Sequence, residues 1–173
     1  MQPEFTIREI FADEFETFGQ SLLGAYSQLL GFPGKEEHPD YYHMLTNLRD
    51  FTEIRDTNVL VAVSSGNSLL GGVVRIGDMA DYGVEGIATE IKNATGIRFL
   101  WVDSEARGLG IGKALTNACI QLARDEGQAQ IILHTIDAMK VAWRLYQGMG
   151  FERAQDLDFT KDGLPISGFR LLI

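Results

Sequence analysis

What this chain has little of narrows the field first. A single cysteine, Cys119, stands among 173 residues, so no internal disulfide can staple the fold. Its place on a periodic apolar face reads as a buried core thiol. There are 3 histidines and no Cys/His spacing suited to zinc, so no metal is expected. Cations are also scarce: 15 Lys and Arg against 24 Asp and Glu give a net charge of −9. That balance disfavours nucleic acid as a partner, because phosphate backbones need a basic surface. It suits solubility and is compatible with mild steering of amines. No window approaches the roughly 20 apolar residues of a membrane span, so no membrane partner is expected. The opening "MQPEFTIREI" lacks a basic stretch followed by an apolar run and so does not read as a secretory leader, which leaves the cytoplasm as the default location.

What is present reads as one α/β domain over residues 1–173. "EFTIREI" (Glu4–Ile10) is a first strand. Asp13 is placed to cap a helix carrying Phe15, Phe18, Leu22, Leu23, Tyr26, Leu29 and Leu30 at three- and four-residue intervals. "GFPGKEEHP" breaks it, and a second helix starts near Pro39. "NVLVAV" and "LLGGVVRI" form a hairpin across "SSGNS". The stretch from Gly77 to Gly96 has mixed signals, with a short helix as one reading of "GIATEIKNA". "IRFLWV" is a clear strand, followed by a glycine-rich turn and a helix with Ile111, Leu115, Ala118, Cys119 and Leu122 on one face. "QIILHTI" reads as a central strand and "AMKVAWRLYQGM" as a helix closed by Gly150. "FERAQDLDFT" and "ISGFRLL" are strands joined at an Asp-Gly turn. The order β-α-α-β-β-β-α-β-α-β-β implies at least one parallel pair in a mixed sheet, with a ligand-accepting crevice at its strand ends.

The turn "RGLGIGKAL" (Arg107–Leu115) carries the most chemistry. It is not a P-loop: the first glycine would fall on Arg107 and the metal-binding hydroxyl on Ala114. It is not a dinucleotide fingerprint either, because the third glycine would fall on Lys113 or Leu115. What remains is Arg-x-x-Gly-x-Gly at the start of a helix. Unpaired N–H groups and the positive dipole end make such a start an anion site, and glycines let a phosphate approach.

With "AWRLYQGMGF" further along, this turn resembles the GNAT superfamily of N-acetyltransferases. Arg107, Gly110 and Gly112 match the acetyl-CoA motif, and Ala142, Leu145, Tyr146, Gly150 and Phe151 match an Ala-x-x-Leu-Tyr-x-x-x-Gly-Phe segment. The element order also fits, so the resemblance spans essentially the whole chain. It implies a mostly antiparallel sheet of about seven strands with about four helices, splayed between the fourth and fifth strands. It implies transfer of an acetyl group from acetyl-CoA, as cosubstrate, to the primary amine of a small molecule, amino acid or peptide. The attack is direct, in a ternary complex, and the resemblance allows a homodimer.

Backbone N–H groups from Arg107, Gly108, Leu109, Gly110, Ile111, Gly112 and Lys113 are the expected pyrophosphate grip. Leu100, Trp101 and Val102 are the expected backbone beside the thioester. Tyr146 is either the general acid for the leaving thiolate or a packed core aromatic. Glu85, Glu90, His134 and a water relay are the candidates for taking the amine's proton. The resemblance places acceptor contacts at the junction of the first two helices, and since neighbours on a helix diverge by about 100°, one of Tyr41 and Tyr42 is expected to line that pocket. Two positions depart from the family pattern. Met139 stands where an Asn commonly contacts the pantetheine arm, and Thr95 and Gly96 stand where some members carry a Glu base. These departures keep open a second reading, a catalytically inactive acyl-CoA-binding sensor or interaction domain.

Overall fold

The computed structural model describes residues 4–173; Met1–Pro3, which open the segment that does not read as a leader, lie outside the described residues. The described strands are β1 (Phe5–Glu9), β2 (Thr57–Ser64), β3 (Leu69–Ile76), β4 (Ala94–Val102), β5 (Gln130–Thr135), β6 (Glu152–Arg153), β7 (Phe159–Lys161) and β8 (Leu164–Leu172). They form one sheet in the order β1-β2-β3-β4-β5-β8-β6, with β7 also pairing β8. The pair β4–β5 is parallel and the other described pairs are antiparallel. The helices are α1 (Phe15–Ser27), α2 (Pro39–Thr46), α3 (Ile111–Asp125) and α4 (Lys140–Gly148).

The mixed, mostly antiparallel architecture expected from the sequence is what is found, with differences of detail. The strand expected over "FERAQDLDFT" splits into β6 and β7 around a 3-10 turn at Gln155–Leu157. The turn tucks Leu157 into the core so tightly that its Cβ would lie 2.5 Å from any Cβ on Gly168. Asp13 does not cap α1. Its neighbour Glu14 occupies the cap position, accepts the Phe11 N–H at 2.8 Å and binds Arg8 at 2.7 Å. The helix ends at Ser27, and Leu30, expected on its apolar face, is 94% exposed. Between β3 and β4 the chain holds only 3-10 turns, at Met79–Asp81 and Ala88–Glu90.

Helices cover both faces of the sheet. Phe18 and Leu22 of α1 and Leu45 of α2 pack with Val59, Val74 and Ile76 on one face. Ile111, Leu115 and Cys119 of α3 and Tyr146 of α4 pack with Val73, Ile131 and Leu133 on the other. The two glycines of "LLGGVVRI" set how closely these layers approach, because successive strand residues face opposite ways. A Cβ on Gly72 would meet the Phe18 ring at 2.6 Å; one on Gly71 would meet Ile111 at 2.9 Å and the Trp101 carbonyl at 2.8 Å. Cys119 is fully buried, and burial pushes its thiol up to about 12, as befits an inert core residue.

A buried cation ties α3 to the sheet. Arg75 on β3 is 1% exposed and binds Glu126, just beyond α3, through both terminal nitrogens. It also donates to Asn58 at 3.0 Å and to Thr95 at 3.2 Å. A guanidinium in such a place is tolerable only while its partners remain. Glu126→Ala is therefore expected to destabilise the fold by about 2 kcal/mol, less than for a fully buried pair because Glu126 is half-exposed. Urea unfolding, read as a lower midpoint at unchanged slope, checks this.

Candidate active site

The site is built where two strands part company. β4 and β5 stay paired only over Ala94–Ile97 and Gln130–Leu133. Beyond that, β4 continues against β3 to Val102, while β5 continues against β8 to Thr135. The split begins next to a bulge. Gly72 pairs with Trp101 and Val74 with Arg98, so Val73 alone faces both Phe99 and Leu100. Phe99 sits at a φ of +57°, a costly conformation for an aromatic residue, by about 1–3 kcal/mol. Its ring is held against Phe51 at 5.6 Å and Tyr41 at 6.1 Å, packing that offsets the strain. A bulge leaves a ladder position unpaired and re-aims backbone groups into the adjoining gap.

At the far end of β4 the glycine turn leads into α3. Gly108 and Gly110 have φ of +80° and +82°, and a Cβ on either would meet nothing within 4 Å. The required left-handed backbone, not crowding, therefore selects glycine at both positions. Gly110 precedes α3 with no side-chain cap, and the Ala114 N–H closes the first turn on its carbonyl at 2.9 Å. The N–H groups of Ile111, Gly112 and Lys113 are thus the unpaired donors of a helix start. Arg107 and Lys113 are exposed beside them, and neither forms an ion pair among the described residues. These residues suit a pyrophosphate: open backbone donors, two free cations and room for a close approach.

Gly112 also brings the two sequence motifs together. A Cβ there would lie 3.2 Å from Leu145 of α4 and 3.6 Å from Val102 of β4. The residue after Leu145, Tyr146, is 5% exposed and packs on Phe151 with ring centroids 5.5 Å apart. Burial pushes its phenol far above the usual tyrosine range, so it keeps its proton at neutral pH.

On the opposite face, at the split, lies a cavity of about 440 Å³. Ile97, Arg98 and Phe99 of β4 and His134 and Thr135 of β5 line it from the sheet. An aromatic wall comes from Tyr26, Phe32 and Tyr41: Phe32 lies 5.4 Å from Tyr26 and 5.7 Å from Tyr41. Tyr41 is the member of the tyrosine pair at the cavity, while Tyr42 is buried and donates to the Pro33 carbonyl at 3.0 Å. Met139 also lines the cavity, its sulfur accepting the Thr135 hydroxyl at 3.3 Å.

Of the proton-acceptor candidates, His134 and Glu85 line the cavity and Glu90 does not. Glu85 is exposed, with Lys161 at 3.6 Å. His134 is part-buried and held at both nitrogens. Nε2 lies 2.9 Å from the Leu157 carbonyl, which can only accept, so Nε2 carries the hydrogen. Nδ1 then accepts from the Tyr82 hydroxyl at 3.0 Å. Desolvation lowers the His134 pKa, Arg98 adds to the lowering, and the Leu157 contact and Asp158 oppose it.

The model of the acetyltransferase (GNAT) family matches residues 7–151. The chain belongs to the GNAT family. Human N-acetyltransferase 8 is 48% identical over 54 residues, which is 31% of this chain and 24% of that protein. The match thus spans about a quarter of the curated relative's length. A GNAT-family acetyltransferase from Staphylococcus aureus Mu50 superposes with a TM-score of 0.76 at 20% identity, covering 98% of this chain and 99% of that one. A GCN5-related N-acetyltransferase from Kribbella flavida gives 0.69 at 18% identity, covering 98% of each chain. These two likenesses establish the GNAT fold, including the parting of β4 and β5. Among the described residues no helix is long and apolar enough to cross a membrane, and no group of three or more His, Cys, Asp or Glu is placed to hold a metal ion.

Sequence reading missed Arg98, Tyr82 and two members of the aromatic wall, Tyr26 and Phe32. Arg98 had left a trace, as a lone cation inside "IRFLWV". Tyr82 lies in the unassigned loop; a Cβ on Gly96 would meet its ring at 2.4 Å, so that glycine marks its seat.

The lowered pKa of His134 has a thermodynamic consequence. The unfolded chain takes up the His134 proton more readily than the folded one, so this residue erodes stability as pH falls through about 6.5. Asp156, Asp158 and Glu14, whose pKa values are lowered by Arg170, Arg153 and Arg8 respectively, lose their contributions only in the acid range. In His134→Gln the stability loss between pH 7 and 5.5 should vanish while the acid-range loss remains, as read by thermal melts across pH.

Proposed function

We propose that this GNAT protein is a single acetyltransferase unit that moves an acetyl group from acetyl-CoA to a primary amine. The observation that carries the reading is the joining, at Gly112 and Leu145, of a left-handed glycine cradle to the helix that bears a protonated Tyr146. Family membership supports acetyl transfer as the chemistry. Acetyl-CoA, when bound, supplies the activated acyl carbon and the thiol leaving group.

The chain's own residues divide the remaining work. Arg107 to Lys113 hold the pyrophosphate through backbone N–H groups, with the Arg107 and Lys113 side chains adding charge. The backbone of Leu100, Trp101 and Val102, just past the bulge, flanks the thioester, and an N–H at the bulge donates to the oxygen on which charge develops. As the new C–N bond forms and the C–S bond breaks, Tyr146 gives its proton to the departing sulfur and recovers one from solvent. His134 takes the amine's surplus proton at Nδ1 through the Tyr82 hydroxyl. Both its ring nitrogens then carry hydrogen, and Leu157 still accepts from Nε2. No step calls for a metal.

Calorimetry should show acetyl-CoA binding to the wild type, and Gly110→Val should weaken it by opposing the left-handed backbone. Tyr146→Phe should bind acetyl-CoA normally and lose about 100-fold in kcat. An unchanged kcat with chemistry rate-limiting removes Tyr146 from the acid role. Failure of acetyl-CoA to bind the wild type overturns the whole reading. Acetyl-CoA binding without turnover of any amine would instead favour the sensor reading, which the substitution at Met139 keeps in view. In the pH–rate profile, the acid limb set by His134 should lie below the usual histidine range. It should disappear in His134→Gln.

A further inference from the structure

The cavity's charges are unevenly matched. Of the acids that line it, Glu85 faces Lys161 at 3.6 Å and Asp162 faces the His38 ring at 3.0 Å. Glu37 and Asp40 stand exposed at the mouth. Arg98 is the opposite case. It rises from the strand floor beside the bulge, half-buried, and has no carboxylate within ion-pair distance among the described residues.

Its guanidinium is nevertheless well fixed. Nη1 donates to the Tyr82 carbonyl at 3.1 Å, and the group lies 4.6 Å from the Phe99 ring centroid and 5.9 Å from that of Tyr82. One contact leaves most of its five donors without a protein acceptor. A guanidinium held in a cavity with spare donors is suited to a bidentate carboxylate. It also repels a second cation, which counts against polyamines.

Resting on the acetyltransferase reading, we propose that the acceptor is a free α-amino acid with a large apolar or aromatic side chain. Arg98 holds its carboxylate, so that the neighbouring α-amine faces the bulge at Phe99–Leu100. Its side chain lies against Tyr26, Phe32 and Tyr41. The exposed acids at the mouth discriminate against acidic side chains. A peptide N-terminus lacks the carboxylate beside its amine and loses the Arg98 contact.

Three acceptors that share a ring test this: L-phenylalanine, L-phenylalanine amide and phenethylamine, each followed by thiol release at saturating acetyl-CoA. The wild type should prefer phenylalanine in kcat/KM by about 10- to 100-fold, the range expected for a charge-assisted hydrogen bond. Arg98→Gln should erase that preference, Arg98→Lys should restore part of it, and both should bind acetyl-CoA as the wild type does. Equal or faster turnover of phenethylamine by the wild type overturns the proposal without recourse to any variant. So does an Arg98→Gln protein that slows all three acceptors equally. Acetyl-CoA binding with no turnover of the three overturns the acceptor assignment, whereas loss of acetyl-CoA binding in the wild type overturns the acetyltransferase reading with it.

Discussion

Everything at this site depends on β4 ceasing to pair with β5 after Ile97. A parallel ladder carried on to Val102 would fill the crevice with hydrogen bonds and leave no opening in the sheet. The bulge at Phe99–Leu100 falls on the other edge of the same strand, where β4 is still paired with β3. One strand therefore carries an open edge and a distorted edge side by side. Backbone strain at Phe99 is sustained by the rings of Phe51 and Tyr41, so the distortion is built into the core packing.

Two features brace the sheet beside the gap. The glycine pair on β3 lets α1 and α3 press on opposite faces of the sheet, which holds β3 and β4 between two helical layers. The Arg75–Glu126 pair fastens the C-terminal end of α3 to β3, while the N-terminal end stands at the cradle. The helix is thus tethered at the end away from the charge it is suited to receive. Tyr146 packs in the cluster on the α3 face of the sheet and is not among the residues that line the cavity.

Much of this was legible in the sequence. Periodicity and turn residues marked the four α-helices, the β2–β3 hairpin and the Asp162–Gly163 turn, because those elements are specified by local chemistry. "RGLGIGKAL" could be read as a turn opening a helix because φ above zero at Gly108 and Gly110 leaves a glycine signature. What escaped was set by pairing at a distance. The bulge depends on how β4 registers with β3, and nothing within "IRFLWV" reveals that. The break at Gln155–Leu157 depends on Leu157 finding space beside Gly168. Tyr82 belongs to a stretch with no period of its own, and only its seat over Gly96 and its bond to His134 give it a place. Asp13 looked like a cap by residue type, but Glu14 holds the cap position, and its carboxylate turns back to Arg8 and the Phe11 N–H and caps no helical N–H.

The hairpin of β7 and the start of β8 stands apart from this machinery. β7 pairs with β8 alone, off the main path of the sheet, yet Phe159, Lys161, Asp162, Leu164 and Ile166 all line the cavity. Phe159 also packs edge-on against His134 of β5 at 5.3 Å, so changes there reshape one wall and bear on that ring while leaving the cradle and the tether of α3 alone. In evolutionary terms the fold separates its vocabulary from its grammar: one wall of the cavity is written in a short peripheral ribbon, while the glycine turn and the parting strands are written into the core.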